Sequence, residues 1–204
     1  MVIFLKIIGL CGGSGSGKGA VSDIFKELGY PTIDTDMVYR EITSYMSPCL
    51  DELVLEFGTI ILRDNSLDRR ALANLVFGGA EASDKIKRLN EITHKHVLNR
   101  TRELISKLND CSPLVLVEVP LLFESGFDKE CDVIIAVVAD RDTRIARIVK
   151  RDGISIDEAS KRIDAQLDNS FLIANSDYTV YNNQTPDILR GEVKNIIALL
   201  KKEI

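Results

Sequence analysis

The stretch KIIGLCGGSGSGKGAVSDIF, residues 6–25, limits the fold of this chain more than any other. It opens inside a short, continuous, β-branched apolar run, Val2 to Leu10, of the kind that forms a strand buried on both faces. Beyond the glycines, Val21, Ile24, Phe25 and Leu28 recur at i, i+3, i+4 and i+7, and Gly29 follows as a stop, so the spacing predicts an amphipathic helix. A glycine-serine run in that position is not a linker between domains. Gly12, four intervening residues and then Gly17-Lys18 have the spacing of a phosphate-binding loop. In such a loop backbone N–H groups and a helix N-terminus face the phosphates, and the lysine reaches the β and γ oxygens. The expected nucleotide-binding residues are Gly13, Ser14, Gly15, Ser16, Gly17, Lys18, Gly19 and Ala20. Glycine suits the loop because the chain must curl through unusual φ values and approach its ligand closely. A rival pattern, Gly15-x-Gly17-x-x-Ala20, matches a dinucleotide fingerprint, but there the strand runs nearly straight into the first glycine. Here four residues separate Leu10 from Gly15, and Lys18 stands in the loop.

The rest of the chain alternates in the same sense. "YPTID" reads as a short second strand, "LVLVEV" and "DVIIAVVA" as two apolar strands, and "DYTVYNN" as a last one. Residues 37–110 read as mostly helical and 141–168 as charged and helical. Thr185-Pro186 supplies an N-cap and a first-turn proline for a closing helix. Strands alternating with helices predict an α/β fold, a mostly parallel five-stranded sheet with helices on both faces. With 204 residues, no repeat and no low-complexity tract, residues 1–204 are expected to form one domain with a helical insertion over 37–110. A net charge of −5 argues against a general nucleic-acid binder, which needs a basic footprint. The four cysteines form no C-x-x-C pair, which disfavours zinc or a disulfide framework and fits a reducing, cytoplasmic setting. The N-terminal apolar run carries Lys6, is too short for a membrane span and lacks the layout of a cleavable signal.

Two further stretches bear on chemistry. In "TIDTDMVYRE" residues two apart on a strand point the same way, so Asp34 and Asp36 are expected to share a face at the strand's carboxyl end, where open α/β sheets bind ligands. A carboxylate there can accept the proton of an attacking hydroxyl or help hold a metal, and Arg40 can grip an anionic acceptor with its planar fork. Equally, Asp34 or Asp36 can simply cap the following helix, with Arg40 in solvent. "RDTRIARIVKR" presents Arg141, Arg144, Arg147, Lys150 and Arg151, either a solvated basic face or a lid whose arginines close on a γ-phosphate. Arg144 and Arg147 are best placed for that task by reach from the preceding strand. Glu118, at a strand end before Pro120, is either a metal-facing carboxylate acting through water or a satisfied strand-end group.

Taken together, the loop with "GSGK", then "DTDMVYRE", "LDRRALANLVF", "LNEITHKHV", "VEVPLLFESGFDKECD", "RIDAQL" and "DYTVYNN" resemble the dephospho-CoA kinase family in order and spacing through essentially the whole chain. The resemblance implies a P-loop kinase fold with a helical acceptor-binding region at about 37–110 and a lid at about 141–168. It implies transfer of the γ-phosphate of ATP, with Mg²⁺, to the 3′-hydroxyl of dephospho-CoA, the last step of coenzyme A synthesis. By the same resemblance Asp36 is the catalytic base, Lys18 the phosphate-binding lysine and Arg40 an acceptor-binding residue, and the tail segment with Asn182 and Asn183 lies near the adenine, with Asn183 nucleotide-binding. Reach within the lid gives Arg144 a catalytic and Arg147 a nucleotide-binding role, and their place at the strand end puts Asp34 and Asp36 beside Arg40 on the acceptor side. No residue is assigned as a direct metal ligand. Three positions depart from the family pattern. Lys95 follows His94 in place of proline, Tyr181 precedes Asn182-Asn183 in place of aspartate, and Gly19-Ala20 replace the Ser-Thr pair that contacts metal and phosphate. The last departure leaves two alternatives beside an active kinase: a weakened member that binds nucleotide or CoA, and a related kinase for another small acceptor.

Overall fold

The computed structural model describes residues 5–44, 46–78, 81–108 and 111–203. It divides into two compact units, Met1–Ile33 with Lys107–Ile204, and Asp34–Ser106.

The first unit is built on the expected parallel sheet. Strands β1 (Lys6–Cys11), β2 (Thr32–Asp34), β5 (Leu114–Glu118), β6 (Val133–Val138) and β7 (Tyr178–Tyr181) take the order β2-β5-β1-β6-β7. β1 lies between β5 and β6 and runs parallel to both, with Ile8 opposite Leu116 and Val133, and β7 pairs in parallel with β6. A central parallel strand must be apolar on both faces, and β1 is: Ile8 and Leu10 are fully buried. They pack with Val21, Ile24 and Phe25 of α1 (Lys18–Glu27) and with Val193, Ile196 and Ile197 of α9 (Pro186–Leu200). Between β6 and β7 lie α6 (Arg141–Asp152), α7 (Ile156–Asp164) and α8 (Asn169–Ala174). α6 and α7 pack on each other through Ile148, Ala159 and Ile163. A complete capping box, Ser155 with Glu158, starts α7.

Some boundaries differ from the sequence expectation. Val2–Phe4, read as strand, lie outside the described residues. Cys11 extends β1 by one residue, Tyr30 and Pro31 precede β2, and Asn182-Asn183 form a turn after β7 rather than its end. Thr185 caps α9 by position alone, since its side chain makes no cap hydrogen bond.

The second unit holds α2 (Thr35–Ile42), α3 (Pro48–Phe57), α4 (Arg69–Phe77) and α5 (Ala82–Ser106). Their apolar faces meet around Leu50, Leu53, Ile61, Leu72 and Val76, with Ile86 and Leu89 packed against them. This region is not helical throughout. Leu62–Arg63 (β3) and Ser66–Leu67 (β4) form a two-stranded hairpin turned by Asp64-Asn65, both at positive φ (51° and 58°). That is the conformation a two-residue hairpin loop demands and Asp and Asn tolerate. Among the described residues no helix is long and apolar enough to cross a membrane.

Candidate functional site

The loop between β1 and α1 takes its shape from its glycines. Gly15 and Gly17 sit at φ 77° and 98°, and Gly17 occupies the N-cap position of α1 without a side-chain cap. Two further requirements are steric. A Cβ on Gly13 would run into the guanidinium of Arg144, and one on Gly17 into the amide of Asn182. Thus the loop is packed on its outer side as well as curled on its inner one. Lys18, the first residue of α1, donates from Nζ to the Gly12 carbonyl at 2.7 Å, so its ammonium lies folded along the loop. Ser16 is fully buried and its Oγ has no hydrogen-bond partner among the described residues. A buried hydroxyl without a partner costs free energy unless something completes it. In a loop that also presents a helix N-terminus and a lysine, an anionic oxygen is the group that fits.

The basic helix α6 leans on this loop. Arg144 is 4% exposed; its Nε donates to the Ser14 carbonyl at 2.9 Å and its Nη2 to Gln166 Oε1 at 3.0 Å. Burial, with Arg141 nearby, pulls the Arg144 pKa below its ordinary value. Arg147, half-buried, donates from Nη1 to the carbonyls of Gly15 and Ser16, both at 3.3 Å, and from Nη2 to Asn182 O at 2.9 Å. Asn182 in turn donates from Nδ2 to Ser16 O at 2.8 Å. Asn183 Oδ1 accepts from Asp140 N at 2.8 Å, which ties the turn after β7 to the start of α6. Arginines read from the sequence as facing a γ-phosphate are therefore bonded to the carbonyls of the loop that would hold it.

Cys11, Gly12 and Gly13 also line a cavity of about 60 Å³ with Pro120, Glu124 and Gln166. Burial holds the Cys11 thiol above its usual pKa, which makes it a poor nucleophile. At the end of β5, Glu118 Oε2 accepts from Ser22 Oγ at 3.0 Å. Ser22, one turn beyond the expected hydroxyl position, thus engages a strand-end carboxylate. Gly19 and Ala20 are exposed, and a Cβ on Gly19 would meet nothing within 4 Å.

In the second unit, Asp34 is the N-cap of α2: its Oδ1 accepts from Asp36 N at 2.8 Å and Met37 N at 3.4 Å. The expectation that Asp34 and Asp36 share a strand face is corrected here. The strand ends at Asp34, so Asp36 belongs to the first helical turn and follows helical, not strand, periodicity. Asp36 and Arg40 are both exposed, four residues apart on α2, which places them on one helix face. Arg40 Nη1 lies 3.9 Å from Met37 Sδ.

Sequence reasoning missed Gln166 as a loop partner. The only signal was a polar residue in "RIDAQL" immediately after an amphipathic helix, and its target lies 152 residues away in the chain.

The family model described as dephospho-CoA kinase matches residues 6–187. A dephospho-CoA kinase of Fusobacterium nucleatum is 38% identical over 191 residues, covering 93% of this chain and 96% of that protein. The crystal structure of TT1252 from Thermus thermophilus superposes with a TM-score of 0.82 at 30% identity, covering 97% of this chain and 98% of the other. Dephospho-CoA kinase from Campylobacter jejuni shares the fold, with a TM-score of 0.73 at 22% identity over 98% of this chain and 100% of that one.

Proposed function

Since the chain belongs to the dephospho-CoA kinase family of ATP-dependent phosphotransferases, we propose that it moves the γ-phosphate of ATP to the ribose 3′-hydroxyl of dephospho-CoA, giving CoA and ADP. The observation that carries the donor half of this reading is the curled loop itself, with Lys18 at the head of α1 and the unpartnered Ser16 hydroxyl buried inside it. Phosphoryl transfer asks for alignment and positive charge more than for covalent chemistry. In this reading Gly13 to Ala20 bind the nucleotide's phosphates, Lys18 exchanges its Gly12 carbonyl for the β and γ oxygens, and Arg147 and Asn183 hold the nucleotide side of the site. Asp36 takes the proton of the acceptor hydroxyl, while Asp34 fixes the start of α2 and Arg40 binds an acceptor phosphate. The two compact units act as one kinase, with about 37–110 as the acceptor-binding region and about 141–168 as the lid. The four free cysteines suit the reducing cytoplasm, where we place the activity.

Mg²⁺ accompanying ATP would supply positive charge against the charge that develops on the phosphates. The residues fit an ion brought in by the nucleotide. The space at Gly19 is open, and Ser22 orients the Glu118 carboxylate. Glu118 would act on the ion through water.

The missing hydroxyl at Gly19 favours one second reading, a catalytically weakened member. Loss of one contact to a charged centre costs about 1.5–3 kcal/mol, roughly 10–100-fold. Gly19→Ser is sterically free, because the position is not at positive φ and nothing crowds the new side chain. The expected result is a rise in kcat/KM for Mg·ATP and a lower Mg²⁺ concentration for half-maximal rate. An unchanged Mg²⁺ requirement would mean that the ion is held without this position.

The reading is tested by ADP release with Mg·ATP and dephospho-CoA, shikimate or nucleosides in turn. Turnover is expected with dephospho-CoA alone; turnover with another acceptor alone would assign the fold to a different kinase.

A further inference from the structure

Arg144 and Gln166 do something that phosphate binding by itself does not require. Gln166 Oε1 accepts from Ser14 N at 2.8 Å and from Arg144 Nη2 at 3.0 Å, while Arg144 Nε donates to Ser14 O at 2.9 Å. Both peptide groups of Ser14 are therefore locked in one closed ring with two side chains. Two glycines of the loop serve this ring. Gly13 has no Cβ to strike the guanidinium, and a Cβ on Gly15 would sit 2.6 Å from the Arg144 carbonyl oxygen. Arg144 lies in the first turn of α6, and Gln166 follows the end of α7, so the ring pins both ends of the α6–α7 pair to the loop.

We propose that Arg144 is a positioning residue: with Gln166 it holds the phosphate loop in its nucleotide-accepting shape and places a buried positive charge behind the phosphates without touching them. The inference rests on ATP being the phosphate donor. Its physical basis is that both of Arg144's bonded partners are neutral oxygens, although its guanidinium stays protonated at neutral pH. A buried cation without a charged partner is unfavourable, and a polyphosphate bound across the loop supplies the missing negative charge. Arg144 therefore acts on ATP affinity through the loop, where a lid arginine that contacts the transferring group would act on kcat.

The test is calorimetric binding of Mg·AMP-PNP, and separately of dephospho-CoA, to the full-length protein and to Arg144→Met, Arg144→Lys, Gln166→Leu and the double variant Arg144→Met/Gln166→Leu. Arg144→Met is expected to weaken the nucleotide about 10–100-fold, the scale of hydrogen bonds to a charged group, and to leave dephospho-CoA within about twofold. Lysine keeps the charge but not the fork, so Arg144→Lys should fall between parent and Arg144→Met. Gln166→Leu should cost less in the Arg144→Met background than in the parent, because the two side chains share one ring. Equal weakening of both ligands, additive losses, or unchanged nucleotide affinity would each overturn the proposal. Should Arg144→Met fail to fold, Arg144→Lys and Gln166→Leu carry the test: both must weaken the nucleotide selectively. A parent that binds no Mg·AMP-PNP would overturn the assignment of ATP as donor; a parent that binds it as tightly as Arg144→Met does would overturn only the role of Arg144.

Discussion

Lys18→Ala is expected to lower kcat/KM for Mg·ATP by about 10³-fold or more, the scale of a cationic or hydrogen-bonding group aimed at developing charge in phosphoryl and acyl transfer. The ammonium sits 2.7 Å from the Gly12 carbonyl, inside the loop that would receive the phosphates. Removing it leaves the helix N-terminus and the loop amides in place, and some nucleotide binding should persist. The variant therefore separates binding from transfer: steady-state rates should collapse while the protein stays folded by circular dichroism. A loss of less than tenfold would mean that the glycine-rich loop holds something other than the transferring phosphate.

Asp36→Asn is expected to lower kcat by about 10²–10⁴-fold, the usual contribution of a general base, with ATP affinity nearly unchanged. The substitution keeps the size of the side chain and removes only its capacity to take a proton. Asp34→Asn is the internal control. Asp34 works as the N-cap of α2, and asparagine caps a helix as well as aspartate does, so that variant should lose little stability and much less rate. Rates measured at saturating ATP and acceptor give the comparison. If Asp34→Asn cost more than Asp36→Asn, the roles within the pair would have to be exchanged.

The sheet was legible because its signals are local. β1, β5 and β6 are short apolar runs ended by glycine, proline or a charged residue, α1 carries its stripe at helical spacing, and α9 is announced by Thr185-Pro186. The phosphate loop was legible for the same reason, since its spacing and the elements on either side lie within one continuous stretch. The hairpin over 62–67 was not read, although Asp64-Asn65 is a pair suited to its turn, because its strands are only two residues long and show no alternation. The Asp34–Asp36 geometry was misread for a boundary reason. The strand stops where its last carboxylate becomes the cap of a helix, and an error of two residues there converts strand periodicity into helical. The ring of Ser14, Arg144 and Gln166 was out of reach of any local pattern. It joins residues 130 and 152 positions apart, and an arginine in a basic run reads as solvated until the fold buries it.

The central claim is that this chain phosphorylates one oxygen of one acceptor. The direct measurement is to incubate the pure protein with Mg·ATP and dephospho-CoA and to identify the product by mass and ³¹P NMR. The account predicts a product heavier by one phosphoryl group and carrying a new phosphomonoester on the ribose 3′-oxygen, with ADP formed in equal amount. Phosphate on any other atom of the acceptor, or ADP formed without a phosphorylated acceptor, would contradict it.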